Sequence, residues 1–139
     1  EIDEVIGVKQ SAGDMHALSQ LLSTLGDDGI VMAAVDDLLY PCYALGSHGS
    51  IAAILSAVPG LNLDLWNAVL RGDHVTAREI HGRLLRIWRA IEGPSLPAMV
   101  KTAMRLQGRD GGHPRSPMPI PTEPESEAIR SALQETGVI

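Results

Sequence analysis

The sequence predicts an α/β fold in which a short parallel sheet is followed by helices only. Three observations predict it. The compact apolar runs Val5–Val8, Ile30–Val35 and Ser50–Leu55 are each flanked by Gly or Asp, as strands buried on both faces of a parallel sheet are. Between them lie segments of helical periodicity, and beyond the third run every remaining segment reads as helix. The spacing between runs leaves room for one helix each, which makes the crossovers parallel and right-handed.

In order, Met15–Leu25 follows the first strand and places Leu18, Leu21, Leu22 and Leu25 on one face, with Asp14 as N-cap and Gly26 as stop. Leu38–Leu45 follows Asp36-Asp37 and ends at Gly46. Past the third strand, Pro59–Leu70 and His74–Ile91 are joined by the turn Arg71-Gly72-Asp73. In the second of these, Val75, Ile80, Leu84, Ile87, Trp88 and Ile91 are expected to face a core, and Arg78, Arg83, Arg86 and Arg89 to face water. Leu96–Leu106 is a further helix. A Gly/Pro-rich connector, Gly108–Pro124, then leads to a last amphipathic helix around Glu125–Gln134. The pattern fits either an open doubly wound sheet or an arc of a (β/α)₈ barrel, and this chain closes neither.

At 139 residues there is enough chain for one domain with a core. A hydrophobic share of 45% with 20% charged residues is that of a globular protein rather than a disordered one. The net charge of −6 argues against nucleic acid or an anionic membrane as partner, since both select basic surfaces. No apolar stretch spans a bilayer. The lone Cys42 makes no internal disulfide, which suits a reducing cytoplasm. The opening Glu1-Ile2-Asp3-Glu4 carries no Met and no leader, so the reading is a cytoplasmic protein and a piece of a longer polypeptide.

Lys9 is the residue on which function turns. A long cation ending an apolar run either escapes to solvent or sits in a dry pocket, where desolvation makes its amine a nucleophile toward carbonyl carbon. Alternation puts Val5, Gly7 and Lys9 on one face, and turns Ile6 and Val8 toward the covering helices. Gly7 is expected to leave room for a ligand beside the amine. At a barrel's C-terminal strand ends such a lysine would stand in the mouth of the site.

The other signals read as structure. Asp36-Asp37 suits an acid/base pair, but its place before a helix favours N-capping. Gly46-Ser47-His48-Gly49 is half a phosphate loop that precedes a strand instead of opening a helix, a weak nucleotide signal. His16, His48, His74, His81 and His113 lack paired metal spacing, so no metal site and no cofactor is expected. Cys42 reads as a small core residue, and Trp66 and Trp88 as packing between helices.

The run Ile6-Gly7-Val8-Lys9-Gln10-Ser11-Ala12-Gly13-Asp14 resembles the Schiff-base lysine segment of the dihydrodipicolinate synthase/N-acetylneuraminate lyase family. Further segments resemble the family's in the same order. Asp36-Asp37 is similar to the end of its next strand. Ala44-Leu45-Gly46-Ser47-His48-Gly49-Ser50-Ile51 is similar to its Leu-Gly-Gly-x-Gly-x-Ile segment. Gly111-Gly112-His113-Pro114-Arg115-Ser116-Pro117-Met118 is similar to a Gly-Gly-Pro-x-Arg-x-Pro-Leu motif in the last connector.

The resemblance implies a (β/α)₈ barrel with extra C-terminal helices. This chain would supply strands six to eight and the tail: residues 1–58 as barrel, 59–139 as last barrel helix and extension. A whole barrel takes roughly 250 residues. The resemblance implies a homo-oligomer (tetramer or dimer) acting as a lyase, aldolase, synthase or hydratase on pyruvate or a related 2-oxo acid. Lys9 would form the imine, and Ile51 with Gly7 would line the substrate pocket. The proton-shuttling tyrosine and the threonine-containing carboxylate site would lie outside this chain. Two departures stand out: Ala34-Val35 replaces the family's Ser-Gly before the acidic pair, and Ser56 replaces an asparagine after the last strand. The rival readings are a non-catalytic or regulatory barrel relative, a half-barrel assembly module, and an open α/β nucleotide-binding piece.

Overall fold

The computed structural model describes residues 4–139, so Glu1, Ile2 and Asp3 lie outside the described residues. Three parallel strands stand in the order β1 (Gly7–Gln10), β2 (Ile30–Ala33), β3 (Gly49–Ser50). Gly7 pairs with Ile30, Lys9 with Met32, and Met32 with Gly49. The crossovers run through α1 (Met15–Leu25) and, after a 3₁₀ turn at Asp36–Leu38, α2 (Leu39–Ala44). Then come α3 (Ile54–Ala57), α4 (Pro59–Leu70), α5 (His74–Ile91), α6 (Leu96–Leu106) and α7 (Glu123–Glu135).

Strand boundaries depart from the sequence reading. β1 starts at Gly7, whose partner is Ile30; Ile6 O accepts the first ladder bond from Ile30 N at 3.0 Å, and Val5 and Ile6 are 67% and 71% exposed. Ile6 lines an open apolar cleft beside Leu21 and Leu25 of α1 rather than the core, whereas Val8 packs on the core. β3 is only two residues long. Its last ladder bond is Ile51 N donating to Ala33 O, and Ile54 onward is helical because an aspartate holds its N–H.

Local chemistry sets the helix ends. Asp14 caps α1, its carboxylate accepting from His16 N. Pro59 opens α4, where a missing N–H costs nothing. Asp73 accepts from Thr76 N at the head of α5, and Thr122 with Glu125 forms a capping box on α7.

One hydrophobic cluster runs from Leu18 and Val31 through Ile54 and Leu65 to Leu84, Ile87, Ile129 and Leu133. α4 packs along α5, and α7 closes over α5 and α6. On α5 the buried stripe is Ala77, Ile80, Leu84, Ile87 and Ile91; Val75, expected in the core, is 62% exposed in the first turn. The α5 arginines face water, yet Arg83 also donates to Thr136 O through both Nε and Nη2, at 3.0 and 2.6 Å. That bond satisfies a carbonyl orphaned at the end of α7. No described helix is long and apolar enough to cross a membrane.

Candidate functional site

Among the described residues, helices cover only one face of the sheet. Val8, Val31 and Ala33 turn toward them, while Gly7, Lys9, Ile30 and Met32 turn away. On the uncovered face Lys9, Met32 and Gly49 stand in one register row. Lys9 lies within β1 rather than at its end, and its side chain is exposed. Among the described residues, no carboxylate stands within ion-pair distance of it. Ile51 follows two residues after Gly49, so alternation returns it to the same face; it is 51% exposed at the C-terminal end of the sheet. With two strand spacings between them, the β1 and β3 ends of this row are roughly 10 Å apart.

Two glycines shape the row, and for Gly7 the reason differs from the expected one. A Cβ at Gly7 would lie 2.7 Å from Ile30 O and 2.9 Å from Ile30 Cβ. The space beside Gly7 is therefore taken by β2, and what the missing side chain provides is close approach of the two strands. At Gly49 a Cβ would lie 3.1 Å from Met32 Cε, so the methionine side chain rests over that glycine.

The rim at the strand ends is fixed by bonds that link loops distant in sequence. Asp36 does not cap its own 3₁₀ turn. Its Oδ1 accepts instead from Ile54 N at 2.7 Å, joining the β2 exit to the start of α3. Burial raises the Asp36 pKa above its ordinary value and outweighs the opposing bonds from Ile54, Ala53 and its own backbone; nearby Asp37 adds to the rise. Behind Ser56, Arg109 donates to Ser56 O at 2.9 Å and also to Ala57 O, and Gln107 donates to Ala57 O at 2.8 Å. The C-terminal connector is thus anchored beneath the rim.

The remaining sequence signals resolve as structure. The turn Gly46–Gly49 leads into β3 at the opposite end of the strand and opens no helix. His48 extends the ladder there: its Nδ1 accepts from Val31 N, and its own N–H reaches Val31 O. Cys42 is a buried core residue beside Met15. Trp66 packs edge-on against Tyr43, with ring centroids 4.9 Å apart. Among the described residues no three His, Cys, Asp or Glu side chains stand together as a metal ion requires. Sequence reading missed the Asp36–Ile54 and Arg109–Ser56 links. Neither leaves a local signal, because the partners are 18 and 53 residues apart.

An uncovered sheet face with one amine in its central row can present that amine to a carbonyl compound bound at the strand ends. Comparison with known proteins identifies the family. The sequence profile of the dihydrodipicolinate synthetase family matches residues 1–136. The chain is 32% identical over 139 residues to the 4-hydroxy-tetrahydrodipicolinate synthase of Methanopyrus kandleri, covering all of this chain and 46% of that protein. Its fold superposes on dihydrodipicolinate synthase from Aquifex aeolicus with a TM-score of 0.87 at 28% identity, over 99% of this chain and 47% of the other. It also superposes on a prophage protein of the dihydrodipicolinic acid synthase family from E. coli K12, solved in complex with pyruvate. There the TM-score is 0.85 at 25% identity, over 97% and 47% of the two chains. These neighbours are barrels, and the chain corresponds to part of one, spanning about half the length of the relatives it matches.

Proposed function

The chain belongs to the dihydrodipicolinate synthetase family, and on that premise we propose that it carries the imine-forming lysine of a Schiff-base lyase or aldolase. In this reading residues 1–58 supply strands six to eight of a (β/α)₈ barrel, and 59–139 supply its last helix and a helical extension. The observation that carries the proposal is the position of Lys9: the one amine in the strand row that faces away from the helices, on the first strand of a chain matched to the family along almost its whole length.

The Lys9 amine attacks the C2 carbonyl of pyruvate or a related 2-oxo acid. Loss of water from the carbinolamine gives an imine, and the protonated imine draws electrons from the adjacent carbon, so that a carbon–carbon or carbon–oxygen bond there forms or breaks. Ile51 lines the ketoacid pocket from the β3 side. Gly7 contributes by letting β2 close against β1, which fixes the strand that bears the amine. The proton-shuttling tyrosine and the carboxylate site belong to the part of the barrel this chain does not span. The pyruvate complex of the E. coli relative supports the substrate class. The protein acts as a cytoplasmic homo-oligomer, dimer or tetramer, on small molecules alone.

Borohydride reduction of the full-length polypeptide with pyruvate tests this. The expected result is a reduced adduct mapped by mass spectrometry to Lys9, absent in Lys9→Ala. An unmodified Lys9 overturns it in favour of a non-catalytic barrel relative, and turnover that survives Lys9→Ala overturns the imine-forming role of Lys9.

A further inference from the structure

The uncovered face of the sheet is packed unevenly around Lys9, and β2 is where the difference lies. Alternation puts Ile30, Met32 and Ala34 on that face, in sequence toward the strand ends. Ile30 stands close against Gly7 of β1. Met32, the register partner of Lys9, turns the other way. A Cβ at Gly49 would lie 3.1 Å from Met32 Cε and 3.4 Å from Met32 Sδ, so both terminal atoms of the side chain rest over β3. Neighbouring strands are roughly 4.8 Å apart, a span that a methionine turned toward β1 would cross. The space beside the amine is open because the methionine is folded over a glycine.

We propose that Met32 and Gly49 act as a pair that positions the amine's surroundings: the bare glycine takes the end of the methionine and so keeps the approach to Lys9 clear. The inference deepens the reading of Lys9 as the imine-forming amine and rests on it. Three observations favour it. Lys9, Met32 and Gly49 are successive register partners, so Met32 is the β2 side chain at the level of Lys9. Its chain is unbranched and has three rotatable bonds, which lets it fold aside, whereas a β-branched residue there would keep one arm toward β1. The directions left to a displaced Met32 are also restricted. Ile30 fills the row on the N-terminal side, so along the sheet the methionine moves over Lys9 or over Ala34. Both lie on the path of a carbonyl compound bound at the strand ends. Attack on a carbonyl carbon needs amine and carbon within about 3–3.5 Å and aligned, and a thioether methyl in that gap displaces one of them. Ile51, the proposed pocket wall, follows Gly49 on the same strand and face, so β3 supplies both the wall and the place where Met32 rests.

The test times borohydride trapping with pyruvate on the full-length polypeptide in three forms: the parent, Gly49→Ala, and Gly49→Ala combined with Met32→Ala. Gly49→Ala is expected to form the Lys9 adduct about tenfold or more slowly than the parent, and the double variant to recover most of that loss. A single variant as fast as the parent overturns the inference. So does a loss that the double variant keeps, because a backbone effect of alanine at φ 158° is not reversed by shortening Met32. Should Gly49→Ala fail to fold, Met32→Ile with Gly49 intact decides. One arm of its branched Cβ faces β1, so slowed trapping is expected, and an undiminished rate overturns the inference. The parent separates the two proposals. An adduct at Lys9 in the parent with unslowed variants leaves the lyase standing without the pair, and no adduct in the parent overturns both.

Discussion

Two side chains respond to pH in ways their neighbours determine. His81 on α5 lies with its ring centroid 5.8 Å from Tyr40, whose hydroxyl contacts His74 Nδ1, and Asp37 faces it from the 3₁₀ turn. Burial lowers the His81 pKa below 6.5, and the attraction of Asp37 only partly opposes this. The unfolded chain therefore takes up a proton that the folded chain refuses. The contribution is present above 6.5 and is lost as pH falls toward the lowered folded value. Urea midpoints measured at about pH 7.5 and pH 5.5 should fall toward acid in the parent, and His81→Phe should flatten that dependence. Asp36 has the opposite sign. Its raised pKa means that stability is greatest below its ordinary 3.8 and is lost as pH rises through the folded value. Asp36→Asn keeps an acceptor for Ile54 N without the buried charge, so it should gain on the parent as pH rises from about 3 to 6. Asp36→Ala loses the bond and should cost about 1 kcal/mol in chemical denaturation.

Among the elements, α5 does the most to hold the helices together, since α4, α7 and the 3₁₀ turn all pack on it. Leu84 sits fully inside that junction at 2% exposure. Leu84→Ala should cost about 2–5 kcal/mol, read from denaturation of the full-length polypeptide, because neighbours on three sides resist collapse into the cavity. The helix was legible in sequence through its 3.6-residue stripe. Its arginines were legible as a wet face, but not as caps on α7, since Arg83 meets a carbonyl 53 residues away. Strand ends were less legible. Apolar runs mark where a strand is able to form, whereas its length is set by the partner: β1 begins where Ile30 begins, and β3 gives way to α3, whose first N–H, at Ile54, is held by Asp36. Val75 shows the same limit, since periodicity assigned it to a core that its turn does not reach.

For the whole molecule, the outer edges of β1 and β3, without a partner strand among the described residues and each beside an apolar cleft, predict the behaviour of the isolated 139 residues. Such a chain should self-associate in sedimentation velocity, as open edges with apolar rims do. A monodisperse, cooperatively melting monomer of this length would count against the barrel assignment. The opposing sign of acidic groups at the helix ends adds a second expectation. Asp73, Glu125 and Glu135 have pKa values lowered by Thr76, Thr122 and Arg86 respectively. What they contribute is present above their ordinary values and is lost as pH falls through the lowered ones, so circular dichroism should show the helices weakening in acid below about pH 4.

The parallel strands followed by helices, the Asp14 cap of α1, the main buried stripe of α5, the presence of Lys9 on the first strand and the family itself were all set down in the sequence. Each depends on residues near one another along the chain or on a linear pattern. The bonds that shape the site's surroundings depend on tertiary structure: Ile30 filling the space at Gly7, Asp36 holding Ile54, Arg109 holding Ser56, and Asn62 left without a donor. These depend on which distant backbone group arrives beside a side chain, and on which does not. Desolvation and hydrogen-bond satisfaction are properties of that meeting, and no local pattern of residues encodes it.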